Sequence, residues 1–289
     1  MVIYIPKFLP FVTNGNEIKL CIHYFDLEIF SLLEDADDVL VECTRVCRRN
    51  TKFFFSGAIF CWISLLIKPF IWGGSYRLPV EVWLPFSVEN QPVLYVWIGY
   101  SGIACGTVDP LIWGLACNTT AQLQILKYNL RHLDYDEDRE INLCPKVTII
   151  QKLKLCIRYH QAIASFVGQY EDCFSQVIFS QLSGSIIMIG FTFQRKFRNY
   201  DTLCICDFVS NLLLLLLRYN ANNSLPVSIY MGRWYNYDHA TKKALILFME
   251  RSKRPMVVTV GRLLGLTLDT FTLIIKRSYS FLALLKTYE

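Results

Sequence analysis

Charge is what this sequence has least of. Only 18% of its 289 residues are Asp, Glu, Lys or Arg, against about 25% in an average soluble domain. Catalytic motifs are missing as well: there is no phosphate loop, no GxSxG and no HExxH. The four histidines, His23, His132, His160 and His239, stand far apart, and none falls in a metal-binding spacing. Cysteine is plentiful at 11 residues, yet no CxxC occurs; the close pairs are Cys43-x3-Cys47 and Cys204-x-Cys206. Buried free thiols are therefore expected rather than a zinc or disulfide framework. These absences exclude the common enzyme classes and predict neither a cofactor nor a metal. No nucleic-acid partner is expected. The opening residues 1–12 are apolar but broken by Pro6, Lys7 and Pro10, with no small-residue cleavage site after them. Insertion into a bilayer is thus expected to depend on an internal span.

What the sequence has instead is apolar residues gathered in blocks. It is 53% hydrophobic and 15% aromatic, with a mean hydropathy of +0.33. That value suits apolar spans joined by substantial polar helices. A spanning helix needs about 20 apolar residues, because the hydrocarbon is about 30 Å thick and a helix rises about 1.5 Å per residue. Candidate spans lie at 53–72, 92–117, 173–194, 202–218 and 263–289. A buried helix of a soluble protein is the alternative, but it usually keeps a polar stripe, and 173–194 has only scattered Ser, Gln and Thr.

Basic residues orient the spans. Most of the 29 Lys and Arg precede the first span, separate the second from the third, or separate the fourth from the fifth. The positive-inside bias then puts the N-terminus in the cytoplasm and the C-terminus outside, with Arg195-Lys-Phe-Arg198 as a local exception. The matches to the glycosylation pattern at Asn118 and Asn222 fall on the inner side and are expected to stay unmodified.

The inner segments look helical rather than disordered. Residues 27–47 carry apolar positions at helical spacing with acids at Glu34, Asp35, Asp37 and Asp38, and 147–170 has a basic face at Lys152, Lys154 and Arg158. Such helices extend the spans inward and pack on one another, or lie on the membrane surface. Ionisable groups inside spans point to function. Asp109 precedes Pro110 and suits a water-filled cavity or the cap of a kinked helix. Lys276 and Arg277 are costly against lipid, so the last span is expected to face protein or a lumen.

The C-terminal third carries a family resemblance. Ile229-Tyr-Met-Gly-Arg-Trp-Tyr235 resembles the segment after the sixth helix of insect odorant receptors. Lys242-Lys-Ala-Leu-Ile-Leu-Phe-Met-Glu-Arg-Ser-Lys-Arg-Pro-Met256 resembles their cytoplasmic anchor helix. Thr267-Leu-Asp-Thr-Phe271 with Arg277-Ser-Tyr-Ser-Phe281 is similar to their terminal helix. The expected fold is an all-α polytopic membrane bundle whose five spans resemble helices three to seven of the family, with no counterpart of the first two. Its expected organisation is a cytoplasmic helical segment at 1–50, a ligand-binding bundle at 51–217, a cytoplasmic anchor at 219–262 and a pore-lining helix at 263–289.

The resemblance implies an odorant receptor subunit of a ligand-gated cation channel in the cell membrane of an olfactory neuron, assembled as a hetero-tetramer with an odorant co-receptor. It implies a volatile small-molecule ligand held among Trp62, Leu66, Phe70, Tyr95, Ile98 and Gly102. On the terminal helix Arg277, Ser280, Leu284 and Thr287 share one face, with Leu284 at the gate position. A G-protein-coupled receptor would have the opposite orientation. A gustatory receptor shares the layout but differs in the terminal signature, and a small transporter would show internal repeats that are absent here.

Overall fold

The computed structural model describes residues 10–33, 36–71, 92–133, 149–194, 225–254, 256, 258–261, 264–265, 269, 272–273, 276–277 and 280. Within these, the side chains of 36–37, 58, 61–62, 64–71, 92–107, 182, 184–194, 260 and 264 are not described. Among the described residues three long helices dominate: α2 (Ala36–Ile71), α3 (Pro92–Arg131) and α4 (Ile149–Gln194). Shorter ones are α1 (Gly15–Ile22), α5 (Leu225–Tyr230) and α6 (His239–Ser252). An antiparallel pair, β1 (Thr259–Val260) and β2 (Leu264–Gly265), follows, with Thr259 opposite Gly265 and Val260 opposite Leu264.

The candidate spans at 53–72, 92–117 and 173–194 fall in α2, α3 and α4, save for residue 72. Each helix continues well past the bilayer-length block into the segment expected on the inner side. The candidate span at 202–218 lies outside the described residues, as does most of 263–289. Among the described residues no helix is long and apolar enough to cross a membrane; the apolar windows at 92–107 and 184–194 fall where side chains are outside that set.

The core sits in the inner extensions. On α4, Leu153, Cys156, Tyr159, Ile163, Phe166, Tyr170, Phe174 and Val177 recur at intervals of three and four and are all buried, which is one face of a 3.6-residue helix. On α3, Ile112, Leu115, Leu123, Leu126 and Leu130, and Leu133 just past its end, are buried against them. The basic residues of 147–170 fall off this stripe: Lys154 and Arg158 are exposed and Lys152 half-buried. This inner segment is thus a packed helix with a solvated face rather than an isolated amphipathic one.

The N-terminal segment is strapped along α4. Phe11 meets Phe174, Tyr24 and Phe25 meet Phe166, and Phe30 meets Tyr159, with ring centroids 4.4 to 6.4 Å apart. The Tyr24 hydroxyl donates to the Ala162 carbonyl at 3.1 Å. Helical character was expected over 27–47, but Glu28–Ser31 is a 3-10 turn and the α-helix begins at Ala36. Leu27, at φ −63° and ψ 138°, is extended and breaks the run. Asp38 falls in the first turn of α2, where the helix dipole favours negative charge.

Helix α6 starts at a side-chain cap: the Asp238 carboxylate accepts from the amides of Ala240 and Thr241 at 3.1 and 3.3 Å. Just before it, Gly232 lets the chain after α5 pass close to the end of α3. A Cβ there would lie 3.3 Å from the Arg131 carbonyl oxygen.

Candidate functional site

Two places bear on function: the walls assigned to the ligand, and the joint between α4 and the terminal segment. Trp62, Leu66 and Phe70 occupy the last turns of α2, and Tyr95, Ile98 and Gly102 the first turns of α3. Their backbones are helical, while their side chains are among those not described. Of the terminal-helix residues, Arg277 and Ser280 are helical and exposed, and the Ser280 hydroxyl donates to the Lys276 carbonyl at 3.1 Å. Leu284 and Thr287 lie outside the described residues.

Asp109 neither ends α3 nor caps a break, because the helix runs on through Pro110. Instead Gln181 Nε2 of α4 donates to Asp109 Oδ1. Further polar contacts tie α3 to α4 towards the inner side. The Tyr170 hydroxyl donates to the Ile112 carbonyl at 3.2 Å, and the Tyr159 hydroxyl donates to Gln122 Oε1. Tyr159 and Gln122 are both buried, so each must satisfy the other. Burial also pushes the Tyr159 phenol up from its ordinary range. It lowers the neighbouring His160, whose ring stands edge-on to Phe248 of α6 at 5.2 Å and near Arg251.

The joint is a hairpin clamp. Ser175 of α4 is buried, and its hydroxyl donates to the Thr259 carbonyl at 2.8 Å while accepting from the Gly261 amide at 2.9 Å. The Thr259 hydroxyl donates to Glu171 Oε1, one turn earlier on α4. Gly261 has φ +60°, and a Cβ there would come within 3.0 Å of the Phe179 ring. Only glycine meets both the backbone angle and the close approach. The hairpin precedes the described residues of the terminal segment, so α4 holds the chain just ahead of that segment. This clamp was not expected from the sequence, although the β-branched run Val257-Val-Thr-Val260 followed by glycine is a strand-and-turn signal.

Sulfur gathers at two further points. Cys21 of α1 is paired with Cys173 of α4, and that hydrogen bond together with burial pushes the Cys21 thiol far up. Cys43, Cys47 and Cys117 meet where α2 crosses α3, and hydrogen bonding to Cys117 and Cys43 raises Cys47 likewise. Cys156 is pushed by burial up to about 12, with Lys152 acting the other way.

Comparison with known proteins decides the family. The family model described as 7tm Odorant receptor matches residues 1–213 and 217–279. The chain belongs to the odorant receptor family. This receptor is 25% identical over 282 residues to odorant receptor Or1 of Anopheles gambiae, covering 82% of this chain and 66% of that one. It is 27% identical to odorant receptor Or2 of the same mosquito, over 89% of this chain and 74% of that one. Against odorant receptor 46a, isoform A, of Drosophila melanogaster it is 25% identical, over 97% of this chain and 78% of that one. The receptor therefore spans about two thirds to four fifths of the length of these relatives.

The fold agrees. The insect olfactory receptor OR5 from Machilis hrabei in complex with eugenol superposes with a TM-score of 0.78 at 12% identity, over 100% of this chain and 79% of that one. The structure of the same protein described without eugenol gives 0.79 at 13% identity, over 98% and 77%. The receptor is an all-α membrane helix bundle of this type, from a family of receptors rather than enzymes.

Proposed function

We propose that this receptor is the odorant-binding subunit of a ligand-gated cation channel, assembled with the family's co-receptor as a hetero-tetramer. Its N-terminus is cytoplasmic, its C-terminus extracellular, and it resides in the cell membrane of an olfactory neuron. The observation that carries this reading is the clamp at Ser175, which couples a bundle helix to the root of the terminal segment. A ligand that shifts α4 therefore has a hydrogen-bonded route to the helix assigned to the pore.

The ligand is a volatile small molecule lodged between the outer turns of α2 and α3, against Trp62, Leu66, Phe70, Tyr95, Ile98 and Gly102. Trp62 is as far along α2 from Cys43 as Ile98 is along α3 from Cys117, about 28 Å at 1.5 Å per residue. An antiparallel pairing of α2 and α3 about the three-thiol contact would bring these two walls to one level. Apolar walls with few polar groups bind by desolvation and dispersion. The complex of the Machilis receptor with eugenol supports a small aromatic ligand in such a bundle.

On the terminal helix, Arg277, Ser280, Leu284 and Thr287 form one face. A ring of Leu284 closes the pore by dewetting, and a small outward shift wets it. Exposure of Lys276 and Arg277 in the single chain suits a face turned to a lumen. Opening requires that the ligand bind the shifted state more tightly than the closed one.

The test is expression with the co-receptor, reading surface accessibility of a C-terminal tag and odorant-evoked cation current. An accessible tag with current, together with raised resting conductance in Leu284→Ser, is the expected result. A tag reachable only after permeabilisation would overturn the topology. Current unchanged by Trp62→Ala and Ile98→Ala together would overturn the ligand site.

A further inference from the structure

We propose that Cys43, Cys47 and Cys117 form a binding site for a thiophilic metal cation, Cu(I) or Zn2+, at the inner crossing of α2 and α3. The three sulfur atoms lie within 4.8 Å of one another. Cys43 and Cys47 are one turn apart on α2, with Sγ atoms 4.0 Å apart, and Cys43 also donates to the Cys117 carbonyl at 3.4 Å. Sulfur ligands about 2.3 Å from one metal stand about 3.8 to 4.0 Å from each other, for tetrahedral and trigonal arrangements respectively. The present spacing therefore needs side-chain adjustments of an ångström or less and no backbone movement.

Ligand chemistry fixes the class of cation. Three sulfurs with no carboxylate among them select soft metals over Mg2+ or Ca2+. Three thiolates complete a trigonal shell for Cu(I), while Zn2+ needs a fourth ligand, which water supplies. Binding forms metal–sulfur bonds as each coordinating thiol releases its proton to solvent, so no oxidant or reductant enters the step. Cys43 and Cys47 are half-exposed and give the ion an entry path, whereas Cys117 closes the site from within. Arg48 and Arg49, exposed and next in sequence to Cys47, offset part of the thiolate charge. An ion here pins α2 to α3 about 28 Å below the level assigned to the odorant, and this proposal stands whether or not that ligand site does.

The experiment uses the purified full chain, reduced and anaerobic, titrated with Zn2+ against a chromogenic chelator and with Cu(I) against bicinchoninate. One equivalent of at least one ion per chain is expected. Alkylation by N-ethylmaleimide at Cys43 and Cys47 should slow at least tenfold on loading, while Cys156 does not change. X-ray absorption of the loaded wild-type protein should show three sulfur neighbours around Cu(I), or three sulfurs and one oxygen around Zn2+. Cys43→Ser with Cys117→Ser should remove the equivalent. Uptake of neither ion, no slowing at Cys43 and Cys47, or a first shell dominated by nitrogen and oxygen would each overturn the site. The alkylation and absorption measurements decide the matter on wild-type protein even if the double variant fails to fold.

Discussion

Ser175→Ala removes both hydroxyl hydrogen bonds of Ser175 from the clamp between α4 and the hairpin, leaving Thr259 on Glu171, and touches neither proposed functional wall. The Ser175 hydroxyl makes two hydrogen bonds, at 2.8 Å to the Thr259 carbonyl and 2.9 Å from the Gly261 amide, and the residue is 5% exposed. A buried hydrogen bond contributes about 1 kcal/mol net, and a buried group stripped of its partner costs more. One of the two groups is partly compensated, because the Gly261 amide also approaches the Ser175 carbonyl at 3.4 Å. The loss is therefore about 2 kcal/mol, or roughly thirtyfold in the local opening equilibrium. Hydrogen exchange read by mass spectrometry on a peptide spanning Gly261 should accelerate by that factor. Ser180→Ala is the control, since its hydroxyl donates only to the Val177 carbonyl of its own helix, at 2.8 Å. The odorant dose–response should shift in Ser175→Ala and not in Ser180→Ala. Exchange at Gly261 within threefold of wild type, or equal acceleration in both variants, would refute the clamp.

Three further outcomes are expected. Gly261→Ala combines a left-handed backbone angle with an approach to Phe179, and should destabilise the hairpin by about 1–2 kcal/mol from the backbone alone; a melting temperature equal to wild type would count against this. Tyr159→Phe leaves Gln122 without its donor and should cost about 1–3 kcal/mol, whereas Phe in place of the exposed Tyr235 should be neutral in the same melt. His160 has its folded-state pKa depressed, first by burial and then by Arg251. The unfolded chain then binds more protons, so stability is fully present above about pH 6.5 and falls as the pH drops below it. Melting curves at pH 7.5 and 5.5 should diverge for wild type and converge for His160→Gln.

Several elements were legible in the sequence for plain reasons. The spans at 53–72, 92–117 and 173–194, save residue 72, fall in helices because apolar runs of that length with at most one charged residue have few other stable forms. The inner half of α4 was legible because its buried positions keep a 3.6-residue period from Leu153 to Val177. The boundary at Ala36 was less so: apolar spacing over 27–47 is compatible with a helix, and among the described residues the extended Leu27 and the 3-10 turn after it interrupt it. The hairpin was missed because two-residue strands carry almost no periodicity, and the partner that anchors them, Ser175, lies 84 residues away from Thr259.

The sequence by itself determined the helical class, the family and the separation of apolar spans from polar extensions. Those properties follow from composition, local period and contiguous motifs, each of which is complete within a few turns of chain. Tertiary structure alone decided which distant residues meet. Cys43-x3-Cys47 is no usual metal spacing, and Cys117 contributes only because α2 and α3 cross there. From the sequence Asp109 beside Pro110 suits a water-filled cavity or the cap of a kinked helix, and only the packed structure brings Gln181 of α4 to it. Contacts of this kind depend on the register of one helix against another, and that register is set by the packing of whole faces rather than by any local run of residues.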